Sequence, residues 1–398
     1  MSKVLISTSL RYTKAEKPSG RLLVYDLNKK VITKSCKIIE PPYREYDPNP
    51  RGGFRGLKGI SIHENRIAIA NASTIFLYDN TWEPLGYIYH PSCAGIHDIH
   101  LLENSIWVTS SRNDLLFQLD FNGNIINYID VRDVKIIKKN LNHRITPFLS
   151  ETQIKNGLIN FRDPRTHDHA ITDALHVNSF HVLNNGEFLV SCGLLRKINA
   201  RLLHKINNLL KQTVFSSAYS KVYRLYRELL KSEDKSNLED VAISNEESLS
   251  VVLHLLSDFS VKNCFVVKKC FVPSHSIRLV NDHQMIYLNS SSGELININL
   301  INAEILMQEK VGKKFLRGAV VLEDNSVLLG DNNELVHFDI SNKRIISRTL
   351  ISEDPAEAIF DIDILPGTFS LPPESFVEHH EKHFPVDQKC DLLGENIT

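Results

Sequence analysis

Apolar residues recur along this chain in short runs rich in Val, Ile, Leu, Phe and Tyr, and each run ends in Gly, Asn, Asp or Ser. Short runs with that punctuation predict β-strands joined by turns rather than helices. Laid beside one another, the runs repeat. Residues 54–90, 95–131, 274–311 and 315–351 each hold four strand-like pieces in the same order, separated by acidic or Asn-rich turns. A period of about forty residues with four strands per unit is the pattern of a β-propeller blade.

Two further units complete the set. Residues 174–195 supply two strands, and "LSVVLHLL" with "CFVVKKCFV" supplies two more after an insertion. The pieces "KVLISTSL", "GRLLVYDL" and "KVITKSCKI" at the start lack an innermost strand, and "AEAIFDIDILP" (356–366) lacks a blade. Joining them predicts an all-β, six-bladed β-propeller over residues 1–366, its split blade closed by the C-terminal strand, with a tail at 367–398. The evenness of the repeat argues against the other reading, an irregular β-sandwich.

Three segments depart from the repeat. Residues 40–53 and 132–173 precede first strands, on the face where such strands begin, and long loops there are candidate lids. The insertion at 196–247 opens with two amphipathic helical stretches. Ile198, Leu202, Leu203, Ile206, Leu209 and Leu210 share one face, and Tyr219, Val222, Tyr223, Tyr226, Leu229 and Leu230 share another. Residues 196–231 carry nine Lys or Arg and a single acid, Glu228. Such a basic hairpin either packs on the rim with its charges in water or grips an anionic membrane or an acidic protein partner.

The first strand of each blade lines the central channel, so its opening residues converge on one mouth. Those openings read "RGLKGISI", "IHDIHLL", "LHVNSFHV", "SHSIRLV", "LRGAVVL" and "IFDIDIL". His97, His176 and His275 occupy nearly equivalent places on three successive blades. Three neutral imidazoles facing one volume are a ligand set for a divalent metal, zinc or iron, with one position left for water or substrate. Asp98 and Asn178 are placed to orient those rings as neighbouring acceptors. Arg55, Arg278 and Arg317 come at the same level and, with Lys58, suit a small anionic or carbonyl-bearing substrate. Taken singly, each histidine reads as a satisfied core residue and each arginine as an ion-pair partner. Their joint placement favours the site. By strand parity His100 turns to the other blade face, and His100 and His181 read as packing. The loop histidines His167 and His169 and the tail "EHHEKH" read as solvated.

At these motifs the chain resembles a family of uncharacterised bacterial propeller proteins with "HD", "HLNG", "HSPRW…LNSGTGEL" and "RGLA" elements. The counterparts here are "GIHDIH" (95–100), "LHVNSF" (175–180), "PSHSIRLVNDHQMIYLNSSSGEL" (273–295) and "FLRGAV" (315–320), with "FRGLKGISI" (54–62) as a second "RGLA" element. The resemblance covers roughly residues 50–350. It departs at Val177-Asn178-Ser179 and Ile277, and the basic hairpin lies outside it. It implies a propeller with a shared central site and no particular reaction. By architecture alone the chain is also similar to the six-bladed peptidyl-hydroxyglycine amidating lyase, a fold that holds zinc with three histidines beside an arginine.

Bulk properties narrow the classes further. A formal charge of −1 over 398 residues argues against a nucleic-acid binder. Six scattered cysteines without CxxC spacing indicate neither a disulfide framework nor a zinc ribbon. No leader pattern and no apolar stretch long enough to span a bilayer is evident, so a cytoplasmic protein is expected. Serine-nucleophile, nucleotide-phosphate and dinucleotide motifs are missing. The sequence points to a metal-dependent lyase or hydrolase at the channel mouth, with a non-catalytic propeller scaffold or binding module as the competing class.

Overall fold

The computed structural model describes residues 3–10, 20–37, 56–140, 152, 154, 156, 173–196, 248–268, 270, 272–313 and 315–374. Its strands form six four-stranded antiparallel sheets. Blade one contains β1 (Lys3–Leu10), β2 (Arg21–Asp26) and β3 (Val31–Lys37). Blade two contains β4 (Ile60–His63), β5 (Arg66–Ala70), β6 (Ile75–Asp79) and β7 (Pro84–Ile88). Blade three contains β8 (Ile96–Leu101), β9 (Ser105–Ser110), β10 (Leu115–Asp120) and β11 (Ile125–Asp130). Blade four contains β12 (Val177–Val182), β13 (Phe188–Arg196), β14 (Ser248–Leu255) and β15 (Val261–Lys268). Blade five contains β16 (His275–Asn281), β17 (Gln284–Asn289), β18 (Glu294–Asn299) and β19 (Ile305–Lys310). Blade six contains β20 (Leu316–Val321), β21 (Ser326–Asp331), β22 (Glu334–Asp339) and β23 (Arg344–Leu350). The last strand, β24 (Glu357–Ile364), pairs with β1, giving the order β24-β1-β2-β3.

Contacts between strands of different sheets close a ring. β24 meets β4, β4 meets β8, β8 meets β12, β12 meets β16, β16 meets β20, and β20 meets β24. These six are the innermost strands, and the architecture is a six-bladed β-propeller. Radial repetition of this kind leaves only short, protected inner edges, which line the axis. Chain ends meet at blade one, where Arg21 and Thr8 both hydrogen-bond the Glu357 carboxylate, Nη2 at 2.7 Å and Oγ1 at 2.7 Å.

Alternation along each strand puts one apolar row on each face of a sheet, and adjoining faces of neighbouring blades bury them together. The core is accordingly six clusters, one at each blade boundary. Between blades one and six it holds Val4, Ile6, Leu23, Leu328 and Ile359. Each such fully buried aliphatic side chain contributes about 1.5–3 kcal/mol. Residues past β24 continue over blade two: Phe369 packs with Trp82, whose indole N–H donates to the Ser370 carbonyl at 2.7 Å.

Five of the six inner strands carry one extra residue at the same level. The register slips between Ile96 and Ile99, Val177 and Ser179, His275 and Arg278, Arg317 and Ala319, and Ile359 and Asp361. A bulge places two consecutive side chains toward one side and reverses the parity of everything after it. That is why His97 and Asp98, Asn178 and Ser179, and Phe360 and Asp361 all line the same central cavity.

The basic helical stretches of 196–231, most of the loops 40–53 and 132–173, and the tail beyond 374 lie outside the described residues, as does Arg55. Among the described residues no helix is long and apolar enough to cross a membrane.

Candidate metal centre

His97, His176 and His275 converge. One ring nitrogen from each lies within 4.8 Å of those of the other two. The rings of His97 and His176 meet edge to face at 5.0 Å, and those of His97 and His275 stack at 6.1 Å. Around an ion with bonds of about 2.0–2.1 Å the nitrogens would stand about 3.4 Å apart, so coordination would draw the rings together by at most about 1.4 Å.

Each ring is held from behind by an acceptor. His97 Nδ1 lies 2.6 Å from the Gly95 carbonyl, which can only accept, so Nδ1 carries the proton. Gly95 has φ +69, and a Cβ there would fall 2.6 Å from Ser111 Oγ, so only glycine presents its carbonyl in this way. His176 Nδ1 faces both oxygens of Asp173 at 3.0 and 3.1 Å. His275 Nδ1 lies 3.0 Å from Ser290 Oγ, whose own hydrogen goes to the Leu316 carbonyl at 2.7 Å. The hydroxyl therefore accepts from His275. In all three rings Nδ1 faces an acceptor, so in the neutral form the lone pair falls on Nε2, the tautomer a metal needs.

Backbone geometry at the site is unusual. His176 and Ser276 have φ of 54° and 62°, in the left-handed region that non-glycine residues rarely enter. His176 is fixed there by Asp114, whose carboxylate accepts from the backbone N–H groups of Ala174, Leu175 and His176 at 2.7, 3.0 and 3.0 Å. Burial, reinforced by Asp173, raises the Asp114 carboxyl to about 7. Burial, followed by the cations Lys58 and Arg317, holds His97 well below the usual histidine range. His97 is thus neutral at pH 7.

Asp98 and Asn178, expected to orient the rings, are engaged elsewhere. Asp98 Oδ2 accepts from Ser179 Oγ at 2.8 Å and from the Phe180 N–H at 3.2 Å. Asn178 Nδ2 donates to the Ser274 carbonyl at 2.7 Å. The ring partners sit in turns instead, where alignment of inner strands gave no signal. Arg278 also departs from expectation. Its guanidinium reaches from blade five to Asp361 of β24, at 2.8 Å, and to Asp98 of blade three, at 3.4 Å. These strands are not neighbours in the ring, so the side chain spans the channel and floors the cavity. Asp361, Asp98 and Asp363 outweigh burial and keep it charged.

Arg317 stacks on Phe360 with Cζ 3.3 Å from the ring centroid, and Lys58 Nζ lies 5.2 Å from the same centroid. Phe360 in turn packs 5.5 Å from the His97 ring. Two cations therefore flank blade one beside the histidines. Phe360, Asp173 and Ser290 were not singled out by the strand pattern. Below the Arg278 floor, His100 and His181 do not turn away. Their rings face each other at 6.3 Å, because the bulges put His100 on the side of Asp98 and His181 on the side of Ser179. Burial and Arg278 depress both, His181 to about 3.

No family profile and no curated protein sequence matches the chain. Solved structures with a similar overall arrangement include a protein of unknown function from Bacteroides caccae, at TM-score 0.48 and 8% identity, covering 91% of this chain and 97% of that one. A nidogen/laminin complex gives TM-score 0.48 and 8% identity, covering 90% and 97%. A streptogramin B lyase gives TM-score 0.42 and 10% identity, covering 76% and 71%. At such similarity the likenesses carry nothing about chemistry.

Proposed function

We propose that His97, His176 and His275 hold a divalent metal, zinc or iron, through Nε2, and that the protein is a metal-dependent lyase or hydrolase for a small anionic or carbonyl-bearing substrate. The observation behind this is the shared tautomer: three converging rings, each with Nδ1 facing an acceptor behind it. Three histidines leave a coordination position open, and the metal would serve there as Lewis acid or water activator. Arg317 and Lys58 supply the positive side of the mouth, and Arg278 acts from beneath by holding Asp98 and Asp361 in place. Neutral His97 gives up no proton on binding the ion, which favours loading at neutral pH.

The test is elemental analysis of wild type and His176→Ala after reconstitution with zinc, iron, manganese or cobalt. Near-stoichiometric metal in wild type, lost in the folded variant, is expected. A wild type that retains none of the four ions overturns the reading and leaves the scaffold or binding module.

A further inference from the structure

We infer that the central cavity holds one ordered water on Asn178 Oδ1, and that Asn178 thereby positions the water that completes the metal's coordination. The role of this water rests on the metal reading above; the water site and the residue that holds it are new. His97, His275, Asn178, Arg278 and Asp361 are among the residues lining the cavity, which offers about 10 Å³ to the centre of a water molecule. That is room for one water and too little for an organic substrate.

The amide of Asn178 is fixed in orientation, because the Ser274 carbonyl only accepts and so must face Nδ2 at 2.7 Å. Gly193 packs closely on that side, since a Cβ there would fall 2.5 Å from the same Nδ2. Oδ1 is left buried with no hydrogen-bond partner, on a residue only 2% exposed. A buried acceptor in this state is a site for a donor. Other polar groups of the lining are engaged within the protein. Ser179 Oγ donates to Asp98 and accepts from the Ile277 N–H at 2.9 Å, Ser276 Oγ accepts from the Gly318 N–H at 3.0 Å, and Arg278 holds Asp98 and Asp361. In the metal-free protein the two hydrogens of one water match two acceptors of the lining, Asn178 Oδ1 and the Nε2 lone pair of His97. With the ion bound, the water's oxygen takes the position that three histidines leave open, and one hydrogen stays on Oδ1. An amide oxygen accepts a hydrogen bond but takes no proton at neutral pH, so Asn178 orients this water and is not its base.

The experiment is a pair of high-resolution crystal structures, metal-free and zinc-loaded, with zinc content measured alongside. One water is expected at about 2.7–3.0 Å from Asn178 Oδ1 in both, bound also to zinc in the loaded protein. Asn178→Leu, close in volume but without an acceptor, gives a second readout in the cobalt-loaded protein, whose visible spectrum follows ionisation of the bound water. Bound water is a stronger donor than bound hydroxide, so losing Oδ1 should lower the pH midpoint by about one unit, the size of one hydrogen bond. A side chain that only supports Ser274 would leave that midpoint in place, and an unmoved midpoint overturns the inference. The wild-type structures need no variant and decide the matter even if Asn178→Leu does not fold. Zinc bound with no water on Oδ1 overturns the inference and leaves the metal reading. A water on Oδ1 in protein that takes up no metal overturns the metal reading and, with it, the role given to Asn178, leaving a purely structural water.

Discussion

Arg278 Nη2 meets Asp361 Oδ1 at 2.8 Å across the channel, tying blade five to the strand that closes blade one. A buried ion pair stabilises little in total, yet removing one partner strands the other charge. Here two carboxylates depend on one guanidinium. Arg278→Met should therefore cost about 3–5 kcal/mol. The loss should be larger at pH 8 than at pH 5, because Asp361, already raised to about 7 chiefly by burial, takes up a proton at the lower pH. Urea unfolding at both pH values measures this, and equal losses would show that Arg278 acts through packing alone.

Asp173 lies behind the His176 ring and contacts it with both carboxylate oxygens. Replacing such a partner typically lowers metal affinity ten- to a hundred-fold. Asp173→Ala should show that loss in zinc competition with a chromophoric chelator, with unfolding little changed, since Asp173 is only half-buried. Unaltered zinc affinity would mean that the ring is held by Asp114 through its backbone and needs no carboxylate.

How much of this was legible in the sequence depended on what each feature needs. Blades were legible because each buries two apolar rows, a property of every strand separately. The histidine trio was legible because its members stand at matching places in aligned strands. The bulges were not, since register is set by pairing with the next strand and leaves no mark on the strand itself. Parity therefore misplaced His100, and Asp98 and Asn178 received the wrong roles. Ser290 could have been found. It lies in "LNSSSGEL" and holds His275 of "SHSIR", so the two most specific elements of the family resemblance are physical partners.

Gly193 has no room for a side chain. An added Cβ would fall 2.8 Å from the Ser274 carbonyl and 2.9 Å from Asn178 Cγ, and the backbone cannot yield as a flexible side chain would. Gly193→Ala should cost about 1–3 kcal/mol, the range for overpacking. Because Ser274 precedes His275, the same change should also weaken zinc binding. Thermal unfolding with and without zinc separates the effects, and a variant as stable as wild type would refute the packing.

Closure by β24 can be tested by deleting it. A chain ending at residue 356 loses Ile359 and Ile362 from the blade one and blade six core and removes the partner of β1. Such a chain should lose cooperative unfolding and bind a hydrophobic dye. A synthetic peptide of residues 357–374 should restore a cooperative transition. Cooperative unfolding without the peptide would show that blade one needs only three strands.

The charges beneath the Arg278 floor make opposite demands on pH. Burial raises Asp363 to about 6, so the folded state binds its proton more tightly than the unfolded state does. The stability this gives is full below pH 4 or so and is lost as pH rises through about 6. Burial lowers His181 to about 3, so below an unfolded value near 6.5 the unfolded chain takes a proton that the folded one refuses. That cost grows as pH falls toward about 3. Asp363→Asn should therefore gain about 1–2 kcal/mol over wild type at pH 8 and nothing at pH 4. His181→Gln should show the reverse, a relative gain at pH 4 that vanishes at pH 7. Denaturant unfolding across this range checks both variants, and parallel curves for variant and wild type would mean that neither group titrates with folding.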